Sequence, residues 1–216
     1  MTSEFNFTFG NQPSRVVIQN EIPSIQKITD SPALIVCDSN TECFARKILS
    51  AKKSLESRKT HILILDGKEE SKTWDSVQKI LIAAQEAHLG RDGVFIGVGG
   101  GLVSDLCAFS ASIYLRGLRL FLVSTTLLGM IDASLGGKTG IHLCGFKNMA
   151  GTFYPANKVV LPLSALNSLP EKEWKSGMAE LIKTAILDSK EFFEKVKSLI
   201  SLEKNGRNNK ISYNSS

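Results

Sequence analysis

Residues 94–101 read VFIGVGGG, and this run decides the fold. Val94 to Val98 is a strand-length stretch, apolar on both faces, and Gly99, Gly100 and Gly101 close it before a helical pattern opens near residue 102. A strand that is hydrophobic on both sides has to be covered on both sides, which is how a buried parallel strand reads. Three further runs repeat the signal. ALIVC at 33–37 precedes Asp38 and Ser39, ILIL at 62–65 precedes Asp66 and Gly67, and LFLVS at 120–124 is the fourth. Helical segments are predicted between them over 41–57, 73–89 and 102–114. In the second, Trp74, Val77, Ile80, Leu81 and Ala84 recur at helical spacing. Strands alternating with helices predict an α/β domain with a mostly parallel sheet over residues 1–155.

Past Pro155 the pattern changes. Pro162 and Pro170 interrupt a loop-rich stretch. A helix is then predicted over 171–187, with Trp174, Met178, Leu181, Ile182 and Ala185 in one stripe, and a second over about 190–202, carrying Phe192, Phe193, Val196, Leu199 and Ile200. Residues 156–202 are therefore expected to be the beginning of a helical domain, cut short. Residues 203–216, rich in Asn and Ser without an apolar period, are expected to be disordered.

Bulk properties narrow the function. The 216 residues are 43% hydrophobic and 22% charged, with a net charge of +5, values of an ordinary folded protein. The 26 basic and 21 acidic residues are dispersed, so the concentrated basic face of a nucleic-acid binder is not expected. Cys37, Cys43, Cys107 and Cys144 show neither a disulfide framework nor zinc-knuckle spacing. The opening MTSEFNFTFG lacks the basic and apolar regions of a signal peptide. No uncharged apolar stretch reaches the roughly 18 residues of a membrane span. A reducing cytoplasm, with no membrane partner, is the expectation.

Several residues carry candidate chemistry. Gly97 to Gly101 end a strand and open a helix, where backbone N–H groups and the helix dipole favour a phosphate; the alternative is a tight turn with glycines for packing. Asp105, one turn on, could cap the helix or contact a cofactor. The stretch Asp66 to Lys72 follows a strand, where an acid can bind ribose hydroxyls; a solvated charged turn is the stronger alternative on the residues alone. Arg116, Thr125, Thr126, Asp132, Lys138, His142, Lys147 and Asn148 lie in glycine-rich, otherwise core-like sequence. Charges there are costly unless paired or bound to ligand, and three cations with a carboxylate suit a substrate bearing phosphate and carboxylate groups. Glu180 and Lys183 share a helix face. His61, His88 and His142 have no metal-ligand spacing.

Taken together, GGGLVSDLCAFSASIYLRGLRLFLVSTTLLGMIDASLGGKTG, KNMAGTFYPANKVV, LNSLP and SGMAELIK resemble the 3-dehydroquinate synthases in order and spacing, over about residues 33 to 195. The resemblance implies a Rossmann-like, parallel-sheet NAD-binding domain followed by the start of an all-helical, metal-binding domain. It implies conversion of 3-deoxy-D-arabino-heptulosonate 7-phosphate into 3-dehydroquinate and phosphate, with NAD and a divalent metal, zinc or cobalt. Asp38, Glu69, Lys72, Gly100, Gly101, Asp105, Thr125 and Thr126 would contact NAD. Asp132, Lys138, Lys147, Asn148 and Lys183 would line the NAD and sugar-phosphate site. Arg116 would reach substrate phosphate across a homodimer interface, and Glu180 would be the first of three metal ligands, the other two being histidines on later helices. Against the family pattern, Ser124 replaces a proline, Phe146 a glycine and Ser168 a threonine. Related sugar-phosphate cyclases, a catalytically incomplete NAD-binding fragment and a polyol dehydrogenase are the alternatives.

Overall fold

Every residue of the strands Ala33–Asp38 (β3) and Val94–Gly99 (β5) is buried, as a run apolar on both faces demands. Their side chains alternate between two cores. Leu34, Val36 and Phe95 enter one, packed against the helices Trp74–Glu86 (α3) and Gly101–Ile113 (α4). Ala33, Ile35, Cys37, Val94, Ile96 and Val98 enter the other, shared with the short helix Ile25–Ile28 (α1) and the helix Glu42–Ser50 (α2). Each large side chain so buried contributes about 1.5–3 kcal/mol, and Phe95→Ala would cost about 3–5 kcal/mol. The computed structural model describes residues 2–50 and 60–200. The second half of the helix expected over 41–57, and the tail expected to be disordered over 203–216, lie outside them.

The sheet has seven strands. In chain order the remaining ones are Thr2–Phe9 (β1), Gln12–Gln19 (β2), Thr60–Leu65 (β4), Arg119–Ser124 (β6) and, further on, Lys158–Pro162 (β9). Their spatial order is β1-β2-β9-β6-β5-β3-β4. All neighbours are parallel except the β1–β2 hairpin. A separate antiparallel hairpin, Ile141–Leu143 (β7) with Phe146–Ala150 (β8), stands outside the sheet.

The sheet continues past residue 155, where the sequence was expected to leave it. β9 lies between β2 and β6, and Val159, Val160 and Leu161 are buried. Pro162 ends this strand, opposite Gln19; lacking an N–H, it cannot carry the ladder further. The β1–β2 hairpin was also unforeseen; its signal is the period-two alternation of Phe5, Phe7 and Phe9, turned at Gly10 with φ of +59°.

Helices follow β9 as expected. Glu171–Asp188 (α5) docks through Gly177, where a Cβ would stand 2.6 Å from Leu127 Cβ. A further helix covers 190–200. The predicted stripe on α5 is half-buried at Trp174, Met178, Leu181 and Ile182 and buried at Ala185, while Ile186, Leu187 and Leu199 are exposed.

Candidate functional site

From β3 the chain moves outward to β4, and from β5 it moves the opposite way to β6. The carboxyl ends of β3 and β5 therefore flank a topological switch point, where open α/β sheets bind ligands. Thr41 Oγ1 bridges the two, donating to Val98 O at 2.9 Å. Asp38 ends β3, and its Oδ1 accepts the N–H of Asn40 and the N–H of Thr41, each at 2.9 Å; the Thr41 hydroxyl oxygen lies at the same distance from it. The Asp38 oxygen is committed to shaping the turn into α2.

Gly99, Gly100 and Gly101 lead from β5 into α4, whose N-terminus carries no side-chain cap. The helix end presents backbone N–H groups and a positive dipole. A Cβ on Gly100 would stand 2.8 Å from Thr126 Cγ2. This revises the expected reason for that glycine: a side chain there displaces Thr126 before it reaches any phosphate. Gly97 lies against α4, where a Cβ would meet Leu122 Cδ2 at 2.8 Å and Cys107 Cβ at 3.2 Å. At the end of β6, the Thr125 N–H donates to Gly99 O at 3.0 Å. Thr126 Oγ1 accepts the Gly129 N–H at 3.1 Å and opens the wide turn Gly129–Ala133 that carries Asp132. The hydroxyls of Ser124 and Thr125 are buried without a hydrogen-bond partner. Such groups cost about 1–3 kcal/mol each and call for an explanation.

Facing this lip is a cleft of about 430 Å3, lined by Asp105, Asp132, Ala133, Lys138, Thr139, Gly140, Asn148, Gly151, Thr152 and Phe153. Lys72 is 4% exposed, not part of a solvated turn. Its ammonium pairs with Asp105 and donates to Asn148 Oδ1 at 2.6 Å. Burial pushes the Asp105 carboxyl above its ordinary value; the hydrogen bond and charge of Lys72 oppose that, Glu69 adds to it, and Lys138 opposes it. Lys138 Nζ stands 3.5 Å from Asp132 Oδ1. Glu69 sits in a short turn, Glu69–Ser71, with Oε1 3.3 Å from His142 Nε2. Sequence reasoning passed over Thr139 and Thr152, whose hydroxyls lie 3.0 Å apart at the cleft wall, and left His142 without a role. A second groove of about 460 Å3, between β4 and α3, contains none of the assigned residues.

Of the residues assigned to one site, Asp105, Asp132, Lys138 and Asn148 share the cleft lining, and Lys72 touches two of them. Lys147 is exposed on β8 and does not line it; neighbouring strand positions point to opposite faces. Glu180 and Lys183 do not line it either. They pair with each other on α5, and the Glu180 hydrogen bond holds the Lys183 ammonium above its ordinary value, with Asp132 adding to the effect. Asp132 thus links α5 electrostatically to the cleft. Arg116 is exposed just beyond the C-terminal end of α4. Thirteen helical residues at 1.5 Å each separate it from the lip by roughly 20 Å. Leu115, Arg116 and Gly117 there have φ of +49°, +67° and +117°, a backbone that costs about 1–3 kcal/mol at each non-glycine position.

The residues fit a dinucleotide: an uncapped helix start behind glycines, two orphaned hydroxyls at the lip, and a buried lysine beside the cleft. They do not by themselves fit a catalytic metal. Among the described residues no three His, Cys, Asp or Glu side chains come together, and Glu180 is engaged by Lys183. Among these residues, too, no helix is long and apolar enough to cross a membrane.

Fold and lip define a doubly wound, Rossmann-like α/β domain with a glycine turn at its switch point. Residues 62–176 match the 3-dehydroquinate synthase N-terminal family. The chain belongs to that family. It is 38% identical over 166 residues to the 3-dehydroquinate synthase of Acidithiobacillus ferrooxidans, a match covering 77% of this chain and 46% of the relative. It thus spans about half the length of the curated relatives it matches. In fold it is similar to a 2-deoxy-scyllo-inosose synthase, with a TM-score of 0.76 at 24% identity over 85% of this chain and 53% of the other. A 2-epi-5-epi-valiolone synthase from Streptomyces hygroscopicus subsp. jinggangensis, solved with NAD+ and Zn2+ bound, is similar with a TM-score of 0.71 at 28% identity, over 79% of this chain and 48% of the other.

Proposed function

We propose that the chain acts as a 3-dehydroquinate synthase, a lyase of the shikimate pathway leading to chorismate and the aromatic amino acids. It would convert 3-deoxy-D-arabino-heptulosonate 7-phosphate to 3-dehydroquinate and phosphate in the cytoplasm. The observation that carries this is the meeting of Lys72, Asp105, Asn148, Asp132 and Lys138 at one cleft beside the glycine lip. NAD, when bound, supplies reversible hydride acceptance, which no side chain here can. Gly100, Gly101, Thr125 and Thr126 would hold its pyrophosphate side, with Asp38 and Glu69 toward the riboses. The α4 N-terminus offers its N–H groups to the phosphates. Lys72, fixed by Asp105 and Asn148, orients the cofactor end nearest the substrate. Lys138, tethered to Asp132, offers a cation to the anionic substrate, and Lys147 and Lys183 add charge at the rim. Low exposure of Lys72 and Asp105 excludes water from the reacting side and strengthens each polar contact.

Arg116 is exposed at the far end of α4 from its own cleft. Its exposure and strained backbone favour a role toward a second copy, so a homodimer in which Arg116 meets the partner's substrate phosphate belongs to this reading. A second reading, an NAD-binding chain that does not turn substrate over unaided, is favoured by one observation. Glu180 is the only assigned metal ligand, and catalytic zinc takes three protein ligands.

The test is an NAD+ titration of the purified chain, followed by phosphate release from 3-deoxy-D-arabino-heptulosonate 7-phosphate with and without added zinc or cobalt. Metal-dependent release with formation of 3-dehydroquinate supports the first reading. NAD+ binding without release supports the second. Absence of NAD+ binding sinks both.

A further inference from the structure

We propose that His142 is a positioning residue of the cleft: its imidazole ties Asn148 across the β7–β8 hairpin, and its backbone N–H ties that hairpin to the Glu69–Lys72 turn. Its link to function rests on the cofactor reading of the cleft; the tether itself stands on geometry.

A two-stranded hairpin is marginal on its own. This one is short, irregular in register and outside the main sheet, yet it carries Asn148, which must meet Lys72 from across the chain. Two hydrogen bonds at His142 hold it, with the Glu69 carboxylate close to the far edge of the ring. The His142 backbone N–H donates to Lys72 O at 2.7 Å. The Asn148 N–H donates to His142 Nδ1 at 3.2 Å. On the other edge of the ring, Nε2 is buried without an aligned hydrogen bond, and the carboxylate oxygen of Glu69 stands 3.3 Å away. Since Nδ1 accepts, the ring proton belongs on Nε2, directed toward Glu69. The Glu69 side chain is 51% exposed and has room to rotate into line.

Asn148 itself sits at φ of +52°, in the left-handed region that asparagine tolerates better than most residues. The bond from its N–H to the ring fixes that conformation. From there its Oδ1 accepts the Lys72 ammonium at 2.6 Å, and Lys72 in turn pairs with Asp105 on α4. Glu69, His142, Asn148, Lys72 and Asp105 thus form one polar chain from the turn after β4, through the hairpin, to the helix behind the lip. His142 is not itself in the cleft lining and acts through Asn148, which is. A lone histidine with no metal-ligand spacing gave no sign of this.

Three variants separate the edges of the ring. H142N keeps an acceptor near the place of Nδ1 and loses the reach to Glu69. H142Q keeps the reach and loses the Nδ1 acceptor. H142A loses both. In the ligand-free protein, amide exchange across 141–150 should be at least about fivefold faster in H142A, the size of one lost hydrogen bond. H142Q should match H142A at the Asn148 amide, and H142N should return close to wild type. NAD+ affinity should fall by about the same factor in H142A and recover in H142N. Equal exchange in H142A and wild type overturns the tether, and equal loosening in H142A and H142N overturns the Nδ1 role. A loosened hairpin with unchanged NAD+ affinity overturns the positioning role. Failure of the wild type to bind NAD+ refutes the cofactor reading instead, and the exchange comparison still decides the tether. Should H142A not fold, H142N against H142Q carries the same comparison.

Discussion

Replacing Lys72 with methionine tests the centre of the cleft most directly. Methionine keeps the length of the stem and removes only the charge and its donors. The Lys72 side chain is 5% exposed and that of Asp105 18%, so the ammonium leaves behind a carboxylate with little water and an Asn148 Oδ1 without its donor. Breaking one side of a buried ion pair costs about 3–5 kcal/mol. Asp105 keeps some exposure and can take up a proton, which places the expected loss at about 2–4 kcal/mol. With a urea dependence of about 2 kcal/mol per molar, the unfolding midpoint should fall by about 1–2 M. The loss should shrink as pH falls, because protonation relieves the stranded carboxylate. Replacing both partners, Lys72→Met with Asp105→Leu, should cost less than Lys72→Met alone, since no uncompensated charge is left. NAD+ binding should weaken in both. A Lys72→Met protein that unfolds within about 0.5 kcal/mol of wild type, which is the scatter of ordinary surface substitutions, would refute the buried-pair account.

Three further outcomes are expected. Gly100→Val should abolish NAD+ binding in a titration, and because the clash is with Thr126, also trimming Thr126 to serine should recover part of it; binding unchanged in Gly100→Val would sink the lip assignment. A thiol reagent followed by mass spectrometry should label exposed Cys43 and Cys144 in the folded protein but not buried Cys37 and Cys107. Burial pushes the Cys37 thiol up to about 12 and raises that of Cys107 as well, so rapid labelling of either would contradict the packing of β3 or α4. Asp105, held above its ordinary 3.8 chiefly by burial, binds a proton more readily in the folded chain than in the unfolded one. Its contribution to stability therefore grows as pH falls through the window between the raised value and 3.8, opposite to the usual acid loss. Against Asp105→Asn, wild type should gain relative stability from about pH 7 to about pH 4; a constant difference would show the carboxyl to be unperturbed.

What was legible in the sequence follows from where burial leaves a local mark. β3 and β5 are buried on both faces, so nearly every position must be apolar, and the strands announce themselves. β9 is equally buried, but its Val159-Val160-Leu161 core is closed by Pro162, and the prolines nearby suggested a broken loop. The proline falls at the strand's last rung, which only the pairing with Gln19 reveals. β1 lies at the edge, exposed along its whole length, and so carried only alternation. Lys72 shows the limit more sharply. Among Glu69, Glu70 and Ser71 it reads as solvated, and the residues that make it a buried cation, Asp105 and Asn148, are distant in sequence; Asn148 lies 76 positions away. Family resemblance marked Lys72 as functional without its burial or its partners. Lys147 marks the converse, since its motif was legible while the strand face on which it projects was not.

The two sides of the cleft are supported differently, and that bears on what each can do. The glycine side is the end of a parallel sheet, where Gly99 to Gly101, Ser124 and Thr125 are fixed by strands packed from both faces. Little there can move without opening a core. The other side is the Gly129–Ala133 turn, the β7–β8 hairpin and the docked face of α5. Met130 of that turn and Ile141 of the hairpin are anchored in the core; otherwise the pieces meet through polar contacts, Asp132 with Lys138, Lys72 with Asn148 and His142 with Asn148, and through the close approach of Gly177 to Leu127. Regions with few buried apolar contacts open at lower free energy than the core. Away from those two anchors, the turn and the hairpin are therefore the parts that open at lower free energy than the sheet, and Lys72, paired to α4 and reaching the hairpin, joins them to the lip.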